Sequence, residues 1–146
     1  MVQDGFVPPS EPRPYVPNEL LSRLVGFRLF SVQFVGDYMQ LRFDSPTEDK
    51  PVLNCDVLPA VEREGRTWRD GDAGYADALR ALIRGTVLTT TEETGRGLRL
   101  ELSHGIVTLH PAQEELVGPE IALLSGFSDR QWMCWRPGEE SFEDLA

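Results

Sequence analysis

Apolar and polar residues alternate most cleanly where Met39, Leu41 and Phe43 are interleaved with Gln40, Arg42 and Asp44, the period of a strand with one wet face and one buried face. The preceding residues share the period. Phe27, Leu29, Ser31 and Gln33 fall on one side and Arg28, Phe30, Val32 and Phe34 on the other, and apolar groups on both faces suit a central strand. Val35, Gly36 and Asp37 lie between the two runs, with Gly36 free to take a positive φ. The pair reads as a hairpin, and SPTEDKP then leads to a third strand over residues 52–58 that ends before Pro59.

The pattern returns 59 positions on. Laid without a gap on GTVLTTTEETGRGLRLELS, the stretch GFRLFSVQFVGDYMQLRFD sets Gly26 on Gly85, Leu29 on Leu88, Gly36 on Gly95, Leu41 on Leu100 and Phe43 on Leu102. Strands are expected over 86–92, 97–103 and 105–110, with Pro111 placed after the third as Pro59 is in the first unit. A short helix leads into each unit. In the first, Leu20, Leu21, Leu24 and Val25 recur at helical spacing behind a candidate cap at Asn18; in the second, Tyr75, Leu79, Leu82 and Ile83 form one face. Residues 60–73, with Gly65, Trp68 and Gly71, show no sustained period and read as a connection. Residues 121–124 suit either a helical turn or a strand; the strand is preferred, as a C-terminal hairpin with the β-like 131–136, and the acidic tail that follows reads as frayed except where Phe142 docks.

The expected fold class is therefore α+β: mainly antiparallel sheet from two pseudo-repeated three-stranded meanders (about 20–59 and 79–111) plus a C-terminal hairpin, with two short helices. Residues 18–146 form one domain behind a proline-rich arm, 1–17, whose Phe6 and Tyr15 can fold back on it. A chain of 146 residues can bury a core of its own without metal or disulfide.

Composition narrows the function classes. Fourteen basic against 24 acidic side chains give a net charge of −10, which opposes binding to a phosphate backbone, so no nucleic-acid partner is expected. No apolar run is long enough for a membrane helix, and the proline-rich opening does not read as a secretory leader. Cytoplasmic placement is the expectation, and Cys55 and Cys134, set among apolar neighbours, read as buried free thiols.

Nucleophile-elbow, P-loop, dinucleotide and zinc-helix motifs are absent from the sequence. His104 and His110 lack a ligand partner at metal spacing, and the calcium-like start Asp70–Gly71–Asp72 has Ala81 where a bidentate glutamate belongs. No metal and no cofactor are expected, and catalysis is the less favoured class. Two readings stay open. In the first, the protein is a non-catalytic interaction factor, immunity-like or regulatory, whose acidic face meets a basic partner through Asp37, Asp44, Trp132, Arg136 and Glu139. Trp132 and Trp135 differ in strand parity, so one ring enters the core and the other faces out. In the second, a cleft between the two units, with Asp56, His110 and Glu120, serves a small-molecule binder or a hydrolase. Monomer and homodimer are both compatible with the sequence.

LxGxxLxxV over Leu24–Val32, DYxQLRFD over Asp37–Asp44, GPE at 118–120 and WxxWRPGEESF over Trp132–Phe142 together resemble a group of small actinobacterial proteins. No activity is assigned to that group, so the resemblance implies no site residues. Immunity factors are similar in size and acidity alone. Between the two hairpins, Asp37, Tyr38 and Asp44 are replaced by Arg96, Gly97 and Ser103, which points to the first as the bearer of any function they share.

Overall fold

The computed structural model describes residues 15–145; the Phe6 contact and the first fourteen residues of the arm lie outside them. The fold is α+β and mainly antiparallel. Strands β1 (Arg28–Val35), β2 (Tyr38–Asp44) and β3 (Val52–Cys55) form the first meander, and β4 (Ala60–Arg63) with β5 (Arg66–Trp68) a hairpin after it. Helix α1 (Tyr75–Arg80) leads into the second meander, β6 (Val87–Glu93), β7 (Gly97–Leu102) and β8 (Gly105–Leu109), and the hairpin β9 (Ala122–Ser125) and β10 (Met133–Trp135) follows. Leu21–Leu24 and Glu140–Leu145 are 3-10 helical.

The strands form two five-stranded sheets, ordered β1-β2-β3-β9-β10 and β5-β4-β8-β7-β6. Each meander is therefore completed by the hairpin that follows the other one in sequence. The β4–β5 hairpin corrects the reading of 60–73 as a plain connection. Its loop is Glu64–Gly65, both with positive φ, between the paired residues Arg63 and Arg66. Val61 faces Trp68 across it, and few other apolar groups mark it as strand.

The two meanders meet through four backbone hydrogen bonds. Gly26 N–H donates to Val87 and Arg84 N–H to Leu29; Leu29 N–H donates to Gly85 and Val87 N–H to Phe27. Each bond maps onto another by a shift of 58 residues. The same shift carries Leu21, Leu24 and Leu29 onto Leu79, Leu82 and Val87, all essentially inaccessible to solvent. Beyond the hairpin turns the shift is 59, matching buried Met39, Leu41 and Phe43 to Leu98, Leu100 and Leu102. The extra residue sits in the turn: Val35 pairs with Tyr38 across two residues, and Glu93 with Gly97 across three. A gapless alignment at 59 is thus one residue out of step for the lead-in segments and for β1 against β6. Both of those strands carry a bulge in their ladders, between Leu29 and Ser31 and between Val87 and Thr89.

The inner residues of both sheets, together with Leu21, Leu24, Leu79, Trp135 and Phe142, form one core cluster. Two local expectations change. Asn18 is no cap: its φ is 68°, and its side chain bonds across to β6 instead. Strand β1 stands at the edge of its sheet, not in the centre, leaving Phe30 and Phe34 each about half exposed.

Candidate functional site

Strand β10 is three residues long, and its parity decides the fate of the tryptophans beside it. Trp135 is fully buried, whereas Trp132, just ahead of the strand, is 62% exposed. The buried ring is held by a carboxyl group from the other sheet. Glu92, on β6, is itself 7% exposed, because the bulge in β6 turns Thr90 and Glu92 towards the interior. One of its oxygens accepts the Trp135 indole N–H at 2.8 Å and the Ser141 hydroxyl at 2.9 Å. The other accepts the Asn18 backbone N–H at 2.8 Å. Asn18 also donates from its side-chain amide to the Thr90 carbonyl at 3.1 Å and accepts the Thr90 hydroxyl at 2.8 Å, and Ser141 in turn shares a 2.8 Å hydrogen bond with Tyr15.

This network ties residue 15, residue 18, β6, β10 and the C-terminal 3-10 helix together, and Tyr15, Glu92 and Trp135 share the lining of one groove with Trp132. A buried carboxyl is costly unless its lone pairs are satisfied, and here three donors converge on it. Trp132 rises between two open grooves, of about 480 and 540 Å³, and contributes to the walls of both. Beside it the Arg136 guanidinium lies 3.6 Å from Glu120 and 3.9 Å from Glu139.

Trp132, Arg136 and Glu139 are thus brought together, with Glu120 added to them. Asp37 lies in the neighbouring cleft of about 250 Å³, where Asp56 and Glu120 are also found with Tyr38 and Pro119. Arg136–Glu120 joins that cleft to the Trp132 ridge. Asp44 is at the other end of β2, roughly 20 Å from Asp37 by strand rise, and pairs with Arg28 at 3.6 Å; it is not part of the cluster.

Of the residues expected to line a shared cleft, Asp56 and Glu120 meet and His110 does not join them. His110 closes the end of β8, where Nε2 lies 2.9 Å from Asp144 and the ring stacks near Phe142. It borders a different groove, of about 440 Å³, on the outer face of the second sheet with Arg69, Arg96 and Arg99.

Burial raises the Asp56 carboxyl above its ordinary value, the Glu120 charge adds to the rise, and the amide of Asn54 opposes it. Asp144 is lowered, chiefly by its hydrogen bond from His110. Burial pushes the Cys55 thiol up to about 12 and raises Cys134 too; both are free and buried. Asp72, from the calcium-like string, accepts the Arg69 backbone N–H at 2.8 Å and so caps a turn. Among the described residues no group of three or more His, Cys, Asp or Glu side chains is arranged to hold a metal ion, and no helix is long and apolar enough to cross a membrane.

Glu92 was not legible as a site residue. TTTEE reads as a wet strand, and its donors come from residues far away in sequence. The chain matches no family, no curated protein and no solved structure, so the arrangement is read from its own chemistry.

Proposed function

We propose that the protein is a non-catalytic interaction factor of the cytoplasm, immunity-like or regulatory, whose Trp132 ridge docks a basic protein partner. The observation that carries this reading is the exposed Trp132 ring, which borders two grooves and lies three residues from Trp135, the ring that Glu92 holds. Large rigid aromatics at the centre of a patch, bordered by arginine, supply much of the energy of protein interfaces. The flanking acids Asp37, Asp56, Glu120 and Glu139 and the net charge of −10 favour a partner of opposite sign, which they steer and orient.

A pulldown from native lysate, run on the wild type, on Trp132→Ala and on a Glu120→Lys/Glu139→Lys variant, tests it. One stoichiometric partner should be retained by the wild type and weakened at least ~10-fold by either variant, with binding falling as salt rises. Retention of the same partner by all three proteins would count against this surface.

A second reading, small-molecule binding or hydrolysis in the cleft holding Asp56 and Glu120, is favoured by one observation, the raised Asp56 carboxyl beside a second acid. It predicts a ligand whose affinity tracks Asp56→Asn and is indifferent to Trp132→Ala.

A further inference from the structure

Four strands end the two sheets, and three of their edges are short or covered. β5 and β10 are three residues long. The edge of β6 is protected by the 3-10 helix Leu21–Leu24, which lies against it, and by Asn18, whose side-chain amide bonds the Thr90 carbonyl. By the 58-residue correspondence Thr90 matches Val32 and Glu92 matches Phe34, yet among the described residues β1 has no cover equivalent to the Asn18 bond and the 3-10 helix. Helix α1 lies against β4, meeting β1 where Tyr75 sits edge-on to Phe34. Past Leu29, which bonds to Arg84 and Gly85, no hydrogen bond beyond its own ladder with β2 reaches the β1 backbone among the described residues. Phe30, Phe34 and Val35 are 45, 49 and 37% exposed there.

A bare edge of this kind invites another strand, and proteins ordinarily blunt it with charge or proline. Residues Ser31–Val35 contain neither. Val35 and Tyr38 flank a two-residue turn, so they form a hydrogen-bonded pair. Alternation along the ladder then turns the N–H and C=O groups of Val32 and Phe34 outward.

We infer that β1 pairs antiparallel with β1 of a second copy of this chain about a twofold at Gln33, so that Val32 and Phe34 of each copy face Phe34 and Val32 of the other. Two features select a second copy over a foreign strand. The pairing is self-complementary, as an isologous contact must be. The paired stretch ends where Leu29 and Arg28 meet Gly85 and Thr86, and there the turn acid Asp37 of one copy approaches the Arg28 end of the other's β1, a strand that carries no acid of its own although the chain's net charge is −10. The present partner of Arg28, Asp44, is a long pair on the surface, which competes weakly. The pairing would extend the first sheet into a ten-stranded one and pack the two Phe34 rings at its centre.

Sedimentation velocity on the full chain tests this, at protein concentrations up to roughly 100 μM because the contact is small. The wild type should show a reversible monomer–dimer equilibrium. Phe34→Glu should weaken it at least ~10-fold by placing like charges diagonally across the twofold, and Phe34→Pro should abolish it by removing an outward donor. Asp37→Arg should weaken it and Arg28→Asp/Asp37→Arg should restore it, an outcome that loss of folding cannot imitate; circular-dichroism melts confirm that each variant is folded. A wild type that stays monomeric throughout, a dimer indifferent to Phe34→Glu, or a charge swap without rescue would each overturn the proposal. None of these outcomes bears on Trp132.

Discussion

Glu92 concentrates more of the structure's chemistry than any other side chain. Replacing it with alanine leaves the Asn18 and Trp135 N–H groups and the Ser141 hydroxyl without their acceptor in a buried site. At about 1–3 kcal/mol for each stranded donor, part of it recovered by water, the expected cost is about 3–5 kcal/mol in urea denaturation. Glu92→Gln keeps the shape and one acceptor oxygen, and should cost less, about 1–2 kcal/mol. Titration at two acids should move stability in opposite directions. Asp144 is lowered in the folded state, so it contributes stability above the ordinary carboxylate range and loses it as pH falls through its folded value. Asp144→Asn removes that contribution. Asp56 is raised, so its ionisation opposes folding at neutral pH, and the penalty is relieved as pH falls. Asp56→Asn should therefore melt higher than wild type at pH 7, with the gap closing towards pH 4. Parity said that one of Trp132 and Trp135 would face out and the other in, and the structure assigns the outer place to Trp132. Glu92 was not legible, because a bulge is silent in the sequence and reverses which side of β6 faces the core.

The two hairpin turns put the meanders one residue out of step, and their glycines carry different burdens. Gly97 follows the three-residue turn with φ of 71°, and a Cβ there would run into the Leu109 carbonyl and the His110 side chain. Gly36, at φ of 59°, has open space around it. Gly97→Ala should cost about 2–4 kcal/mol, combining backbone strain with a clash against main chain, and Gly36→Ala only about 1 kcal/mol. Thermal or urea melts of the two variants give the comparison directly. Strands β2 and β7 were legible because inward Leu, Met and Phe alternate with polar groups, and β1, β6 and β8 because runs rich in Val, Ile, Thr and Phe lie between turn residues. The β4–β5 hairpin was hidden by its composition: Ala60–Arg63 and Arg66–Trp68 bury little beyond Val61 and part of Trp68, and Glu-Gly is a weak sign of a two-residue turn beside Asn-Gly or Asp-Gly. Asn18 looked like a helix cap by residue type. Its positive φ and its bonds to β6 come from tertiary contacts that no local window contains.

At the scale of the whole molecule, the exchange of hairpins decides what can fold alone. Period and turn chemistry specify each meander locally, but nothing local says that β4–β5 should pair with β8 and β9–β10 with β3. Those pairings join Val61 to Val107 and Leu53 to Leu124, contacts distant in sequence that carry the entropy of closing long loops. Cutting the chain between Ala73 and Gly74 gives two pieces, each with a three-stranded meander whose β3 or β8 edge is uncovered and a hairpin with nothing of its own to pair with. The core offers no dividing line either, since inner residues of both sheets belong to one cluster that also takes in Trp135 and Phe142. Either piece alone should therefore lack a cooperative unfolding transition and expose apolar surface to a hydrophobic dye. Mixed in equal amounts, the two should regain a cooperative transition and a sedimentation coefficient near that of the intact chain, at a concentration-dependent midpoint because the linkage is now bimolecular. Independent, cooperative folding of residues 1–73 would show that the first meander and its hairpin can pair with each other, and that the exchange between the sheets is not required for stability.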